Sequence, residues 1–224
     1  MITFEEYENA LKQRHGERIH NILSHSSVAI AGLGGLGSNI AMYLARAGVG
    51  HLHLVDFDKV DITNLNRQQY DIADLGTLKT DALTKNIKRF NPFIEITSQC
   101  VKVNEDNAAE IFVGYKIVCE AFDKAENKAM LVNSILSECG DTKIVSGSGM
   151  AGFGSSNTIV TRKINDRFYL CGDAESDMND GLALAAPRVA ICAAHEANMI
   201  LRLLIGEKEA VSYTHLTLPT IYSV

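Results

Sequence analysis

The chain has 224 residues, a net charge of −6, 46% hydrophobic and 21% charged residues, which fits one ordinary globular domain with a sizeable core. The acidic balance speaks against non-specific nucleic-acid binding, which needs a basic face. No apolar run approaches the roughly eighteen residues of a membrane span. The start, MITFEEYENALKQRHGER, lacks a signal peptide's apolar core, so a cytoplasmic protein with no membrane partner is expected.

In chain order, residues 3–24 predict a helix with Gly16 as a break. SVAIAG predicts a short buried parallel strand, and residues 36–47 a helix ended by Gly48. HLHLVDFD is the next strand, followed by a polar connection and a helix over LKTDALTKNIKRFN that stops before Pro92. IEITSQCV is strand-like, EDNAAEIF a short helix, YKIVCEAFD a strand ending in a carboxylate, and KAENKAMLVNSILSECG a helix. TKIVSGSGMAGFGSSNTIVT predicts two strands bent around glycines, and DRFYLCG another strand. GDAESDMNDG is an acidic loop, and a long apolar helix follows, buried in the core or in a dimer interface.

Strands alternate with helices through the first 145 residues. This predicts an α/β, Rossmann-like doubly wound sheet, mostly parallel, with helices on both faces and antiparallel strands extending it. A single domain over 1–210 is expected: the N-terminal helix 3–24, a nucleotide-binding half 27–148 and a β-rich half 149–210. VSYTHLTLPT, within residues 211–224, resembles the translation of a common sequencing-library adapter. That tail is set aside as non-native, the alternative being a short strand at a mobile terminus. The cysteines, Cys100, Cys119, Cys139, Cys171 and Cys192, form no CxxC pair, which predicts reduced thiols and no structural zinc. HEANM at 195–199 lacks the second histidine of an HExxH zinc helix, since its last residue is Met199.

The chemistry begins at AGLGGLGS, where Gly32, Gly34 and Gly37 fit G-x-G-x-x-G, with Gly35 completing the run. Gly32 permits the tight turn, Gly34 lets backbone approach phosphate oxygens, and Gly37 lets helix and strand pack closely. The helix N-terminus offers free N–H groups to an anion. Asp56 ends the second strand, at a spacing suited to a ribose hydroxyl. This turn predicts an adenine nucleotide, and by itself fits NAD as well as ATP. Arg67 and Lys79 argue for ATP, because charge builds on a leaving pyrophosphate and a nicotinamide cofactor needs no such pair. Each is otherwise a solvated basic side chain. Asp123 either holds Mg²⁺ or caps the helix that follows, and both roles are compatible in part.

GLGGLGS, DFD, NLNRQ, GTLK and the FD before a helix, in that order, resemble the adenylyltransferases that activate ubiquitin-like proteins, and within them the short ThiF type. The resemblance covers residues 14 to about 206. It implies ATP-dependent adenylylation of the C-terminal glycine carboxylate of a small β-grasp sulfur carrier ending in Gly-Gly, with release of pyrophosphate, in thiamine thiazole biosynthesis. A sulfur donor enzyme would then act on the product. It also implies that Asp56 holds the ribose, that Asn64, Arg67 and Lys79 contact phosphates, that Asp58 belongs to the cofactor-binding set, and that Asp123 is the magnesium-linked aspartate. Arg14, or its neighbour Arg18, would be the arginine supplied from the partner in a homodimer. Half 149–210 would bind the carrier, whose tail threads past the acidic loop, expected to be flexible without it. Cys171 is the only counterpart of a sulfur-relay cysteine, its alternative being a packed small hydrophobe. Longer relatives carry two zinc-binding CxxC pairs that this chain lacks. The readings left beside this one are an NAD-dependent oxidoreductase, a catalytically idle binding module, and a related adenylyltransferase acting on a molybdopterin-synthase carrier or a tRNA-linked carboxylate.

Overall fold

The computed structural model describes residues 2–176 and 181–207. The sequence reads into seven strands and seven α-helices among them: α1 (Phe4–His15), α2 (Glu17–Ser24), β1 (Ser27–Ala31), α3 (Gly35–Arg46), β2 (His51–Val55), α4 (Lys79–Lys88), β3 (Glu95–Gln99), α5 (Ala108–Phe112), β4 (Ile117–Glu120), α6 (Ala125–Glu138), β5 (Lys143–Gly147), β6 (Val160–Lys163), β7 (Phe168–Gly172) and α7 (Ala186–Leu204). The expected 3–24 helix is two helices. Gly16 takes φ +78°, a backbone state that L side chains rarely adopt, and ends α1.

The strands form one sheet in the order β3-β2-β1-β4-β5-β7-β6. The chain winds one way from β1 through β2 to β3, then crosses back to β4 on the other side of β1, so the winding direction reverses between β1 and β4. In such sheets ligands bind beyond the strand carboxyl ends at that reversal. The antiparallel extension is β6 on β7, while β7 itself runs parallel to β5. Because β6 lies outside β7, residues 148–159 must arch from the end of β5 over the carboxyl end of β7.

Alternation along β1 sorts the core into two layers. Val28 and Ile30 face α3, α4 and α7 through Ile40, Leu44, Leu83, Val189 and Ile200. Ala29 and Ala31 face α5 and α6 through Phe112, Leu131 and Ile135. The long apolar helix α7 therefore has its buried face in the core of this chain, packed on α3.

α1 and α2 cover the opposite edge of the sheet from the glycine turn. Phe4 and Tyr7 pack on the ring of Phe93, just before β3, and Leu11 lies against Gly48, just before β2. No helix among the described residues is long and apolar enough to cross a membrane. The tail 211–224 and residues 177–180 of the acidic loop lie outside the described residues.

Candidate functional site

The glycine turn follows β1. Gly32 has φ +91°, and a side chain there would meet the Ala121 carbonyl and the Phe122 ring. A Cβ on Gly37 would overlap the Gly32 carbonyl oxygen. Gly34 differs: the nearest atom to a Cβ there is Gln68 Nε2, 3.9 Å away, so space stands open beside that backbone. Gly35 opens α3 and packs on Val189 of α7 and the Arg67 stem.

Asp56 lies one residue past β2 and is buried. Its Oδ2 accepts the Leu33 N–H at 2.6 Å and its Oδ1 the Asp58 N–H at 2.8 Å. Burial raises its pKa above the usual aspartate value, against the pull of Lys79 and these N–H groups. It holds the glycine turn in shape, with the outer lone pairs of both oxygens still able to accept from a ligand.

The polar connection folds back on itself. Val60 N–H bonds Thr77 O, Lys79 N–H bonds Asp58 O, and Lys59 pairs with Leu78 as an antiparallel bridge. This return brings Lys79, the first residue of α4, beside the end of β2. Its buried ammonium lies 2.9 Å from Asp58 and 4.0 Å from Asp56. Further along, Tyr70 Oη donates to Leu33 O at 2.8 Å, and Asn39 donates to Arg67 O at 3.0 Å, stitching the segment to the start of α3. Arg67 is thereby laid over Gly35. Burial lowers its pKa from the ordinary arginine value, and the negative charge of Asp123 opposes that. Arg67 and Asp123 thus lie within electrostatic range of each other.

Asp123 is exposed, and no side chain caps α6, so the capping role considered from the sequence is not the one it takes. Asn64 Oδ1 accepts the Asp61 N–H in a capping box of the 3-10 turn Ile62–Asn64, which engages it locally. Arg14 and Arg18 are exposed on the α1–α2 pair, at the far edge of the sheet. The length of β1 alone, about 15 Å, separates that edge from the glycine turn. Cys171 is fully buried, and burial pushes its thiol pKa up. It packs as a small hydrophobe with Thr161 beside it.

Sequence reasoning missed the polar groups under the site. Glu120 is fully buried at the end of β4, with Lys128 and Ser146 on it. Arg188, at the start of α7, is buried and holds the carbonyls of Ala151, Gly154 and Ser155 together with the Asp173 carboxylate. A charged residue closing the apolar run IVCE, and an arginine opening an apolar helix, were the available signals.

A groove of about 410 Å³ opens beside Arg67, lined by Asn39, Tyr43, Asn66, Gln69 and Pro187. Among the described residues no group of three or more metal-ligating side chains gathers. One exposed carboxylate beside a phosphate cradle suits magnesium, which keeps waters and takes one or two carboxylates plus phosphate oxygens. The open backbone at Gly34 suits the phosphates themselves.

Known proteins are similar to this chain in sequence and in fold. The adenylyltransferase and sulfurtransferase UBA4 of Scheffersomyces stipitis is 39% identical over 129 residues, 57% of this chain and 29% of that protein. UBA4 of Saccharomyces cerevisiae is 34% identical over 155 residues, 66% of this chain and 35% of that protein. The chain spans about a third of the length of these relatives. Among solved structures, Escherichia coli tRNA N6-threonylcarbamoyladenosine dehydratase in complex with ATP superimposes with a TM-score of 0.80 at 22% identity, covering 92% of this chain and 97% of that one. Escherichia coli MccB with ATP gives 0.68 at 18% identity, covering 94% and 74%. Both share the fold. The model of the ThiF family matches residues 7–222, nearly the whole sequence, and the chain belongs to that family.

Proposed function

We propose that this chain is a nucleotidyltransferase that uses ATP to adenylylate the C-terminal glycine carboxylate of a small ubiquitin-like sulfur carrier. The observation that carries the reading is one mouth at the sheet's winding reversal. It combines an open glycine cradle, Lys79 between two carboxylates, and Arg67 in range of Asp123. The relatives named adenylyltransferase and sulfurtransferase UBA4 support adenylyl transfer as the activity.

In this reading the glycine carboxylate, already ionised at neutral pH, attacks the α-phosphorus. The bond between that phosphorus and the α–β bridging oxygen breaks, and pyrophosphate leaves with the electron pair. No proton has to move. The difficulty is bringing two anions together, and Arg67 and Lys79 offset that repulsion. Asp123 would hold Mg²⁺, which supplies further positive charge to the phosphates. Asp56 and Asp58 serve the ribose side. Arg14 stands too far from its own glycine turn, so it would act from a second copy in a homodimer. The carrier is proposed to be the one for thiamine thiazole synthesis, with residues 1–210 acting as one unit.

ATP–pyrophosphate exchange tests this, with and without a β-grasp carrier ending in Gly-Gly. Exchange that depends on the carrier is expected. Exchange indifferent to it, or NAD binding tighter than ATP, would overturn the reading. Running thiamine-type and molybdopterin-type carriers side by side assigns the partner.

A further inference from the structure

Asp123 lies at the site, but nothing in its own helix start fixes it: α6 begins without a side-chain cap. What fixes the turn lies underneath. Glu120, fully buried, accepts the Phe122 N–H at 2.6 Å through Oε1. Lys128, in the second turn of α6, reaches both Glu120 oxygens at 3.3 and 3.1 Å. Ser146 on β5 donates to Oε2. The turn is also tied to β1, because Ala121 N–H bonds Ala31 O at 2.8 Å, and Phe122 packs where a Gly32 side chain would stand.

A buried ion pair is weak evidence for stability, since well-packed apolar residues often do as well. This one does something apolar residues cannot. It bonds the backbone of the residue before Asp123 on one side and the helix after Asp123 on the other. Nearby Glu196 competes less for Lys128, because burial pushes its carboxyl well above the ordinary glutamate range.

We propose that Glu120, Lys128 and Ser146 are positioning residues that hold the Asp123 turn and thereby set the site's affinity for magnesium-bound nucleotide. This rests on the reading of Asp123 as the carboxylate that meets the metal.

The test is ATP binding by titration calorimetry on the full chain, in magnesium and in EDTA, with thermal melts as folding controls. The double variant Glu120→Gln/Lys128→Met removes both charges together and is expected to fold. It should lose at least about tenfold of the magnesium-dependent gain in affinity while its affinity in EDTA stays unchanged. Lys128→Arg should keep the gain. In an Asp123→Asn background the double variant should cost nothing more. A folded double variant with the full magnesium gain, equal losses in magnesium and EDTA, or losses additive with Asp123→Asn would each overturn the proposal. If the double variant does not fold, Ser146→Ala carries the same comparison, and an unchanged magnesium gain overturns it there. Should Asp123→Asn itself keep the full gain, the metal reading fails first and this proposal with it.

Discussion

Gly34 and Gly37 stand three residues apart in one turn and predict opposite outcomes for the same change. Ala at Gly37 would drive its Cβ into the Gly32 carbonyl, and should cost about 1–3 kcal/mol of stability, read by urea denaturation. Ala at Gly34 meets only Gln68 Nε2 at 3.9 Å, so stability should stay within about 0.5 kcal/mol. Its Cβ nonetheless occupies the space proposed for phosphate, and ATP affinity should fall at least about tenfold. This turn was legible from sequence because its constraints are local: backbone angles and a close approach fixed within six residues. Arg67, Lys79 and Asp123 were legible as charges near strand ends. Glu120, Lys128 and Glu196 were not, because their partners come from β4, β5 and α7, and no local spacing announces a pairing across a sheet.

Three elements meet at Arg188. Its guanidinium joins α7 to the arch that follows β5 through Ala151, Gly154 and Ser155, and to the turn after β7 through Asp173. Asp173 in turn accepts from Glu175 and Ser176, and these bonds hold its pKa at about 2. Ala174 between them takes φ 62°, a state unusual for a residue with a side chain. Arg188→Met should destabilise by about 1–3 kcal/mol, because it leaves the Asp173 carboxylate without its cation and the Ala151, Gly154 and Ser155 carbonyls without their donor. Adding Asp173→Asn should recover part of that loss in the same denaturation assay. From sequence, residues 142–161 read as two strands bent around glycines. The strands are there, but the arch between them is organised by a helix residue about thirty positions later, beyond the reach of hydrophobic periodicity.

At the scale of the whole molecule, buried titratable groups shape how stability varies with pH. Burial lowers the His53 and His195 pKa values. Below about pH 6.5 the unfolded chain therefore takes up protons that the fold does not, and stability falls. Asp173 adds a second loss between its unfolded value of 3.8 and about 2. Glu196 acts in the other direction: its raised pKa gives stability that is complete below the unfolded value of 4.5 and lost as pH rises toward the folded one. Glu196→Gln, which keeps the shape and needs no proton, should flatten that decline in melts from pH 5 to 8. The thiols of Cys119, Cys171 and Cys192, all raised by burial, extend the loss above pH 9. The position of α1 and α2, at the edge where the strands begin, bears on the molecule as a population. If Arg14 serves a neighbour's phosphates, an Arg14→Ala chain and an Asp123→Asn chain, each inert alone, should regain turnover once mixed and allowed to exchange subunits. The recovered rate should fade on dilution as the assemblies come apart. Catalysis would then report the concentration of pairs rather than of chains.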